Sequence, residues 1–130
     1  MQHDFERKDG CTLEIHNRYV KPGVVVMEMS GSVYMGPDCR RIDQEVEEHL
    51  AKKQNKIVFD LTRVTHIDSA VIGLMVRTFS TLSKSGGGLR LAGAKGMVDN
   101  VIKMTQLHKV IAVHPTAESA VDDFPPQESN

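Results

Sequence analysis

The sequence carries no excess of positive charge: 16 lysines and arginines stand against 17 aspartates and glutamates, for a net charge of −1. Nucleic-acid binding needs a cationic face that displaces counterions from phosphates, so this balance argues against a direct nucleic-acid partner. Long apolar runs are also missing. The longest, Ala70 to Val76 with a glycine inside it, is far shorter than the about 20 residues a bilayer-spanning helix requires, and no membrane partner is expected. No charged stretch followed by an apolar run and a small-residue cleavage site opens the chain, so a cytoplasmic location is expected. Cysteine is scarce, with only Cys11 and Cys39, at neither a metal-type spacing nor C-x-x-C. Two reduced thiols are the expected state, with a single bridge as the alternative.

Catalytic equipment is equally thin. His3, His16, His49, His66, His108 and His114 are scattered, and no two share metal-ligand spacing on one helix. No G-x-S-x-G elbow is present. The stretch from Gly88 to Lys95 comes near a phosphate loop but has one residue too many, and its intervening residues read as a strand rather than a flexible cradle. The expectation is a protein that is not an enzyme and holds neither metal nor cofactor.

What is present suffices for one domain. A chain of 130 residues buries roughly two-thirds of its unfolded surface and needs no disulfide to fold. Leu, Ile, Val and Phe make up about 26% of it, above the level of disordered chains. Residues 1–11 read as a flexible N-terminal segment, 12–124 as the domain, and 125–130, with Pro125 and Pro126, as a disordered C-terminal tail.

Residues 12–20 and 23–30 are β-rich and broken at Lys21-Pro22-Gly23, the composition of a hairpin turn. Val25, Met27 and Met29 share one face of the second strand, Glu28 and Ser30 the other. Gly36-Pro37-Asp38 starts a helix to about residue 53, with Cys39, Ile42, Val46, His49 and Leu50 on one face and a Glu48–Lys52 pair on the other. His49, on the apolar stripe, is expected to be a hydrogen-bonded core residue. Ile57-Val58-Phe59 and Leu61 form a buried strand, 62–67 a connection, and 69–84 the most apolar helix, stopped by Gly86-Gly87-Gly88. A strand at 89–92, a helix at 95–105, a strand at 110–113 and a short helix capped by Thr116 complete the chain. The fold class is therefore α/β: a mixed β-sheet of four to five strands with about four helices packed on it, the later strands parallel.

One segment is unexplained by folding alone. Asp68-Ser69 falls where a short connection meets the apolar helix, and a serine there would ordinarily cap the first turn. That helix carries Ile72, Met75, Phe79 and Leu82 on one stripe and Val71, Leu74 and Thr78 beside it, more apolar surface than packing on one sheet demands. A helix N-terminus also tolerates phosphate, through its free amides and its dipole. A phosphate on Ser69 would add about −1.5 to −2 charges without breaking the fold, and would spoil an apolar or acidic partner contact centred there.

At these residues the chain resembles STAS domains, specifically the bacterial anti-sigma factor antagonists. The resemblance runs from about Leu13 to Phe124. Its landmarks are Ile57-Val58-Phe59-Asp60-Leu61, Ile67-Asp68-Ser69 with Gly73, Gly87-Gly88-Leu89-Arg90-Leu91, and Val98 to Val113 with Thr105-Gln106-Leu107-His108-Lys109-Val110. It implies partner switching: the unphosphorylated antagonist binds an anti-sigma factor with serine kinase activity, freeing the sigma factor. Phosphorylation of the serine after the aspartate, here Ser69, dissolves the complex, and a serine/threonine phosphatase restores it. The implied partner surface is Thr65, His66, Asp68, Ser69, Ala70 and Val71, on a monomer or weak dimer that regulates transcription without touching DNA. The family often continues with a hydroxyl residue and glycine where this chain has Ala70 and Val71. A structural STAS module of a signalling scaffold or transporter-accessory complex is the alternative, and a small-ligand-binding domain a third.

Overall fold

The computed structural model describes residues 12–125. The segment expected over 1–11, with Cys11 and its pairing, and residues 126–130 of the expected tail lie outside the described residues.

Two strands, β1 (Glu14–Lys21) and β2 (Val24–Val33), open the fold as an antiparallel hairpin. The turn between them sets Pro22 before Gly23 at φ +80°, the left-handed corner that a type II turn demands and glycine supplies at least cost. Helix α1 (Pro37–Ala51) leads to β3 (Lys56–Ile67), α2 (Ser69–Lys84) to β4 (Gly88–Ala92), and α3 (Gly96–Met104) with a 3-10 turn at Leu107–Lys109 to β5 (Val113–His114) and α4 (Ala117–Asp122). The five strands lie in chain order, and every pair after the hairpin is parallel. This is the α/β mixed sheet that the alternation of strands and helices implies.

The two-residue period of β2 sends its side chains to two cores. Val25, Met27, Met29 and Val33 meet Ile42 and Val46 of α1, Val71, Leu74, Met75 and Leu82 of α2, and Val98 and Ile102 of α3. Val24 and Val26, with Val58 and Ala92, meet Ala117, Ala120, Val121 and Phe124 on the opposite face. Three helices thus cover one side and α4 the other. Thr116 and Ser119 cap α4 reciprocally, as expected of Thr116. Helix α2 stops in a Schellman arrangement: the Gly87 amide bonds the Leu82 carbonyl, the Gly86 amide bonds Ser83, and Gly86 takes φ +87°.

Three expectations need correction. Residues 62–67 are strand, not connection: β3 continues beside β2 as far as the pair Val33↔Ile67, well past the last β4 partner at Asp60. Irregular register after Glu28 and after Gly31 interrupts the alternation, so the buried residues fall at Leu61, Val64 and Ile67, a spacing that does not read as strand. The last strand is only Val113–His114, because the amides of Val110 and Ile111 both bond back to the Leu107 carbonyl and hold that stretch in a turn. The ion pair along α1 among the described residues is Arg41–Glu45 at 3.4 Å, in place of Glu48–Lys52. Asp123, the C-cap of α4, ties that helix to the sheet. It bonds Arg90 and His114, while Arg90 lies over the Phe124 ring at 4.4 Å. Among the described residues no helix is long and apolar enough to cross a membrane.

Candidate functional site

Asp68 is the N-cap of α2, and Ser69 is its first helical residue. The sequence places a capping serine there, but the aspartate does the capping. With extended backbone at φ −118° and ψ −178°, its Oδ1 accepts from the amides of Ala70 (3.1 Å) and Val71 (3.3 Å). Its second oxygen, Oδ2, accepts from the amide of Met35 at 2.9 Å. One carboxylate therefore closes the helix end and pins the β2–α1 loop against it.

That division of labour releases Ser69. Its side chain is exposed, and its hydroxyl makes no hydrogen bond to any described residue. Phosphate attached there would find the Ala70 and Val71 amides already engaged by Asp68, so the expectation of free first-turn amides is corrected; the helix dipole still favours negative charge.

The other expected site residues divide by exposure. Thr65 and His66 belong to the end of β3, exposed and bonded to each other at 3.1 Å. Ala70 is half-buried beside Ser69. Val71 is different: it is 1% exposed and packed in the main core, so it anchors the first turn of α2 from beneath and is no surface contact. Farther along α2, Met75 and Leu82 are fully buried, whereas Ile72, Val76 and Phe79 keep apolar surface at i, i+4 and i+7.

Sequence patterning missed the loop of Tyr34, Met35 and Gly36. Its amides are held from two sides, Tyr34 by the buried Asp38 carboxylate at 2.9 Å and Met35 by Asp68. Gly36 at φ +100° then turns the chain into α1, while Tyr34 and Met35 point outward. The available signal was Asp38 in the first turn of α1, which looks like an ordinary helix-start residue. Cys39 lies just behind, donating to the Tyr34 carbonyl at 3.5 Å. Burial, with Asp68, Asp43 and Asp38 nearby, pushes its thiol pKa up and keeps it protonated.

Elsewhere, His49 is a core histidine as expected. It is bonded to Asn17 at 3.2 Å and lies edge-on to Tyr19, and burial draws its pKa down. A groove of about 510 Å³ lies along Glu14, His16, Glu28, Ser30, Asp60 and Arg63, on strands β1 to β3. It shares no residue with the Ser69 region, its Glu28 is bonded to Arg18, and its Asp60 to Thr62. No group of three potential metal ligands occurs among the described residues.

The arrangement is similar to known proteins over most of the chain. A Thermotoga maritima protein assigned as an anti-sigma factor antagonist is 31% identical over 77 residues, 59% of this chain and 68% of that protein. The crystal structure of a T. maritima antagonist so assigned superposes with a TM-score of 0.76 at 24% identity, over 84% of this chain and 92% of that one. The unphosphorylated form of the antagonist SpoIIAA gives 0.71 at 19% identity, covering 84% and 94%, and SpoIIAA, a Bacillus cell-fate determinant, is also known in a phosphorylated form. A sulfate transporter family protein of Wolinella succinogenes shares the fold too, with a TM-score of 0.68 at 17% identity over 81% and 87%. The family model for the STAS domain matches residues 15–120, almost all of the sheet and its helices, and the chain belongs to the STAS domain family.

Proposed function

We propose that this STAS domain is an anti-sigma factor antagonist that works by partner switching in the cytoplasm, with Ser69 as its reversible phosphorylation site. The observation that carries the reading is the free Ser69 hydroxyl: it stands exposed at the start of α2 because Asp68 has taken over the cap. A hydroxyl with no structural duty is available to a kinase, and its modification leaves the core untouched. The partner is an anti-sigma factor with serine kinase activity, a serine/threonine phosphatase reverses the modification, and the chain itself is the substrate rather than the catalyst. Thr65, His66, Asp68, Ser69 and Ala70 form the contact, with Val71 fixing it from below and Ile72, Val76 and Phe79 extending it along α2. On a chain of net charge −1, a phosphate of about −1.5 to −2 more than doubles the net charge and places all of it in that contact.

Binding of the cognate kinase-type anti-sigma factor to wild-type, Ser69→Ala and Ser69→Asp chains tests this, with phosphosite mapping of residue 69 after incubation with ATP. The expected result is binding by wild type and Ser69→Ala, loss with Ser69→Asp at unchanged circular dichroism, and phosphate on Ser69 alone. Equal binding by both variants removes the switch.

A further inference from the structure

The loop that Asp68 pins beside Ser69 presents the most exposed apolar side chain near the site. Met35 is 72% exposed and Tyr34, next to it, 44%. Neither belongs to a loose segment. The Tyr34 amide is bonded to Asp38, the Met35 amide to Asp68, the Tyr34 carbonyl accepts from Cys39, and the Gly36 carbonyl already accepts the Arg40 amide of α1. The backbone is held from four directions while its two large side chains meet water. Ordering such a loop on association costs little, because its conformation is already set.

We propose that Met35, with Tyr34 beside it, is the apolar anchor of the contact centred on Ser69, and that Asp68 is the residue that positions it. The proposal rests on the partner reading of Ser69 given above and names where the affinity of that contact resides. A protein that brings a catalytic site to the Ser69 hydroxyl covers about 800 Å² of this chain, a disc of roughly 16 Å radius. The Met35 amide is 2.9 Å from the carboxylate of the residue next to Ser69, so Met35 lies well inside that disc. Binding energy concentrates in a few central, desolvated side chains, and an unbranched methionine adapts to the hollow that receives it. The matching partner surface is an apolar hollow without carboxylate acceptors to satisfy, since Asp38 and Asp68 each spend an oxygen on the loop amides. A dianion on Ser69 would then enter an apolar contact beside the Asp68 carboxylate, where its desolvation opposes binding.

The test uses the full chain and the purified anti-sigma kinase that wild type retains, with dissociation constants for wild type, Met35→Leu, Met35→Asp and Ser69→Asp. Met35→Leu should stay within about threefold of wild type, and Met35→Asp should weaken binding at least tenfold with circular dichroism and thermal midpoint unchanged. If Ser69→Asp abolishes binding and Met35→Asp does not weaken it, the anchor is refuted while the reading of Ser69 stands. If wild type retains no such kinase, both fall. If Met35→Asp only dissociates a homodimer seen by light scattering, a second copy is the occupant and the proposal is overturned.

Discussion

Replacing Asp68 by alanine removes three hydrogen bonds at once, and the geometry allows their loss to be apportioned. Two of them, to the Ala70 and Val71 amides, form the N-cap of α2. Losing an aspartate cap to alanine costs about 1 kcal/mol in a typical helix, within a range of about 0.5 to 2. The third, to Met35, is made at an exposed position where water replaces the lost acceptor, so its net worth is about 0.5 to 1 kcal/mol. The expected total for Asp68→Ala is therefore about 2 kcal/mol, which for a chain of this size lowers the thermal midpoint by roughly 8 °C. Asp68→Asn separates the two roles. Asparagine caps a helix about as well as aspartate, but its single carbonyl oxygen cannot also serve Met35, whose amide would face the amide nitrogen instead. Its expected cost is about half that of alanine. Urea titration and calorimetry of the two variants, with amide exchange at Met35, are the assays. Met35 should lose protection in both variants, and the Ala70 amide, whose acceptor is the Asp68 carboxylate, only in Asp68→Ala. A midpoint within 2 °C of wild type for Asp68→Ala, or identical values for the two variants, would refute the assignment of one carboxylate to two tasks.

His49 gives the domain a pH dependence with a definite sign. Burial draws its pKa below the usual histidine value, against weaker upward pulls from Glu45 and Glu48, so the native state favours the neutral ring. The unfolded chain then binds the proton more readily, and stability present above about pH 6.5 is lost as pH falls through the lower native pKa. Urea midpoints measured from pH 7.5 down to 5 should fall for wild type and fall less steeply for His49→Gln; parallel curves would contradict this. On the opposite face, Arg90→Met should loosen α4 by about 1 kcal/mol, because it leaves Asp123 only His114 as a partner and removes the cation above the Phe124 ring but keeps the alkyl stem. The figure is held low because the Asp123 side chain is 41% exposed and screened by water. Denaturant unfolding at low and high salt checks it, and a loss that grows with salt would exclude an electrostatic origin.

The elements that read correctly from sequence are those where one period governs burial. Helix α2 agrees at both ends, because its apolar run starts after an acidic cap residue and stops at Gly86, whose positive φ its Schellman closure uses. The residues that β2 gives to the main core, Val25, Met27 and Met29, also follow a single alternation, although Val24 and Val26 between them are buried too, under α4. Legibility ended where pairing, rather than periodicity, decided the outcome. The far half of β3 is a strand because β2 extends alongside it, and the irregular register there hides the alternation. Val110 and Ile111 have the composition of a strand but are held by one carbonyl in a turn. Thr105, the last residue of the helix expected over 95–105, is instead the exposed C-cap of α3 and spends its hydroxyl on the Val101 carbonyl. At the site, Asp68 and Ser69 were legible as a local motif. The link from Asp68 to Met35 spans 33 residues and follows from no local pattern.

The departure at Ala70 and Val71 acquires a physical meaning from this geometry. In the resemblance, a hydroxyl and a glycine follow the phosphorylated serine. Here the side chain at 71 is buried against the sheet, and that at 70 is half-covered. A valine at 71 replaces the backbone freedom of glycine with a packed anchor, which fixes the first turn of α2 and with it the direction of Ser69. An alanine at 70 removes a competing hydroxyl, so that Ser69 is the sole hydroxyl in the first turn of the helix. Flexibility is thereby given up beside Ser69, and placement gained. A rigidly placed hydroxyl suits a partner that must reach one atom, and a rigid neighbouring loop supplies the surface from which to reach it. The same rigidity means that phosphate at Ser69 is not accommodated by local unwinding. Asp68 holds the cap on one side and Val71 the core on the other, so under the proposed function the added charge stays at the contact.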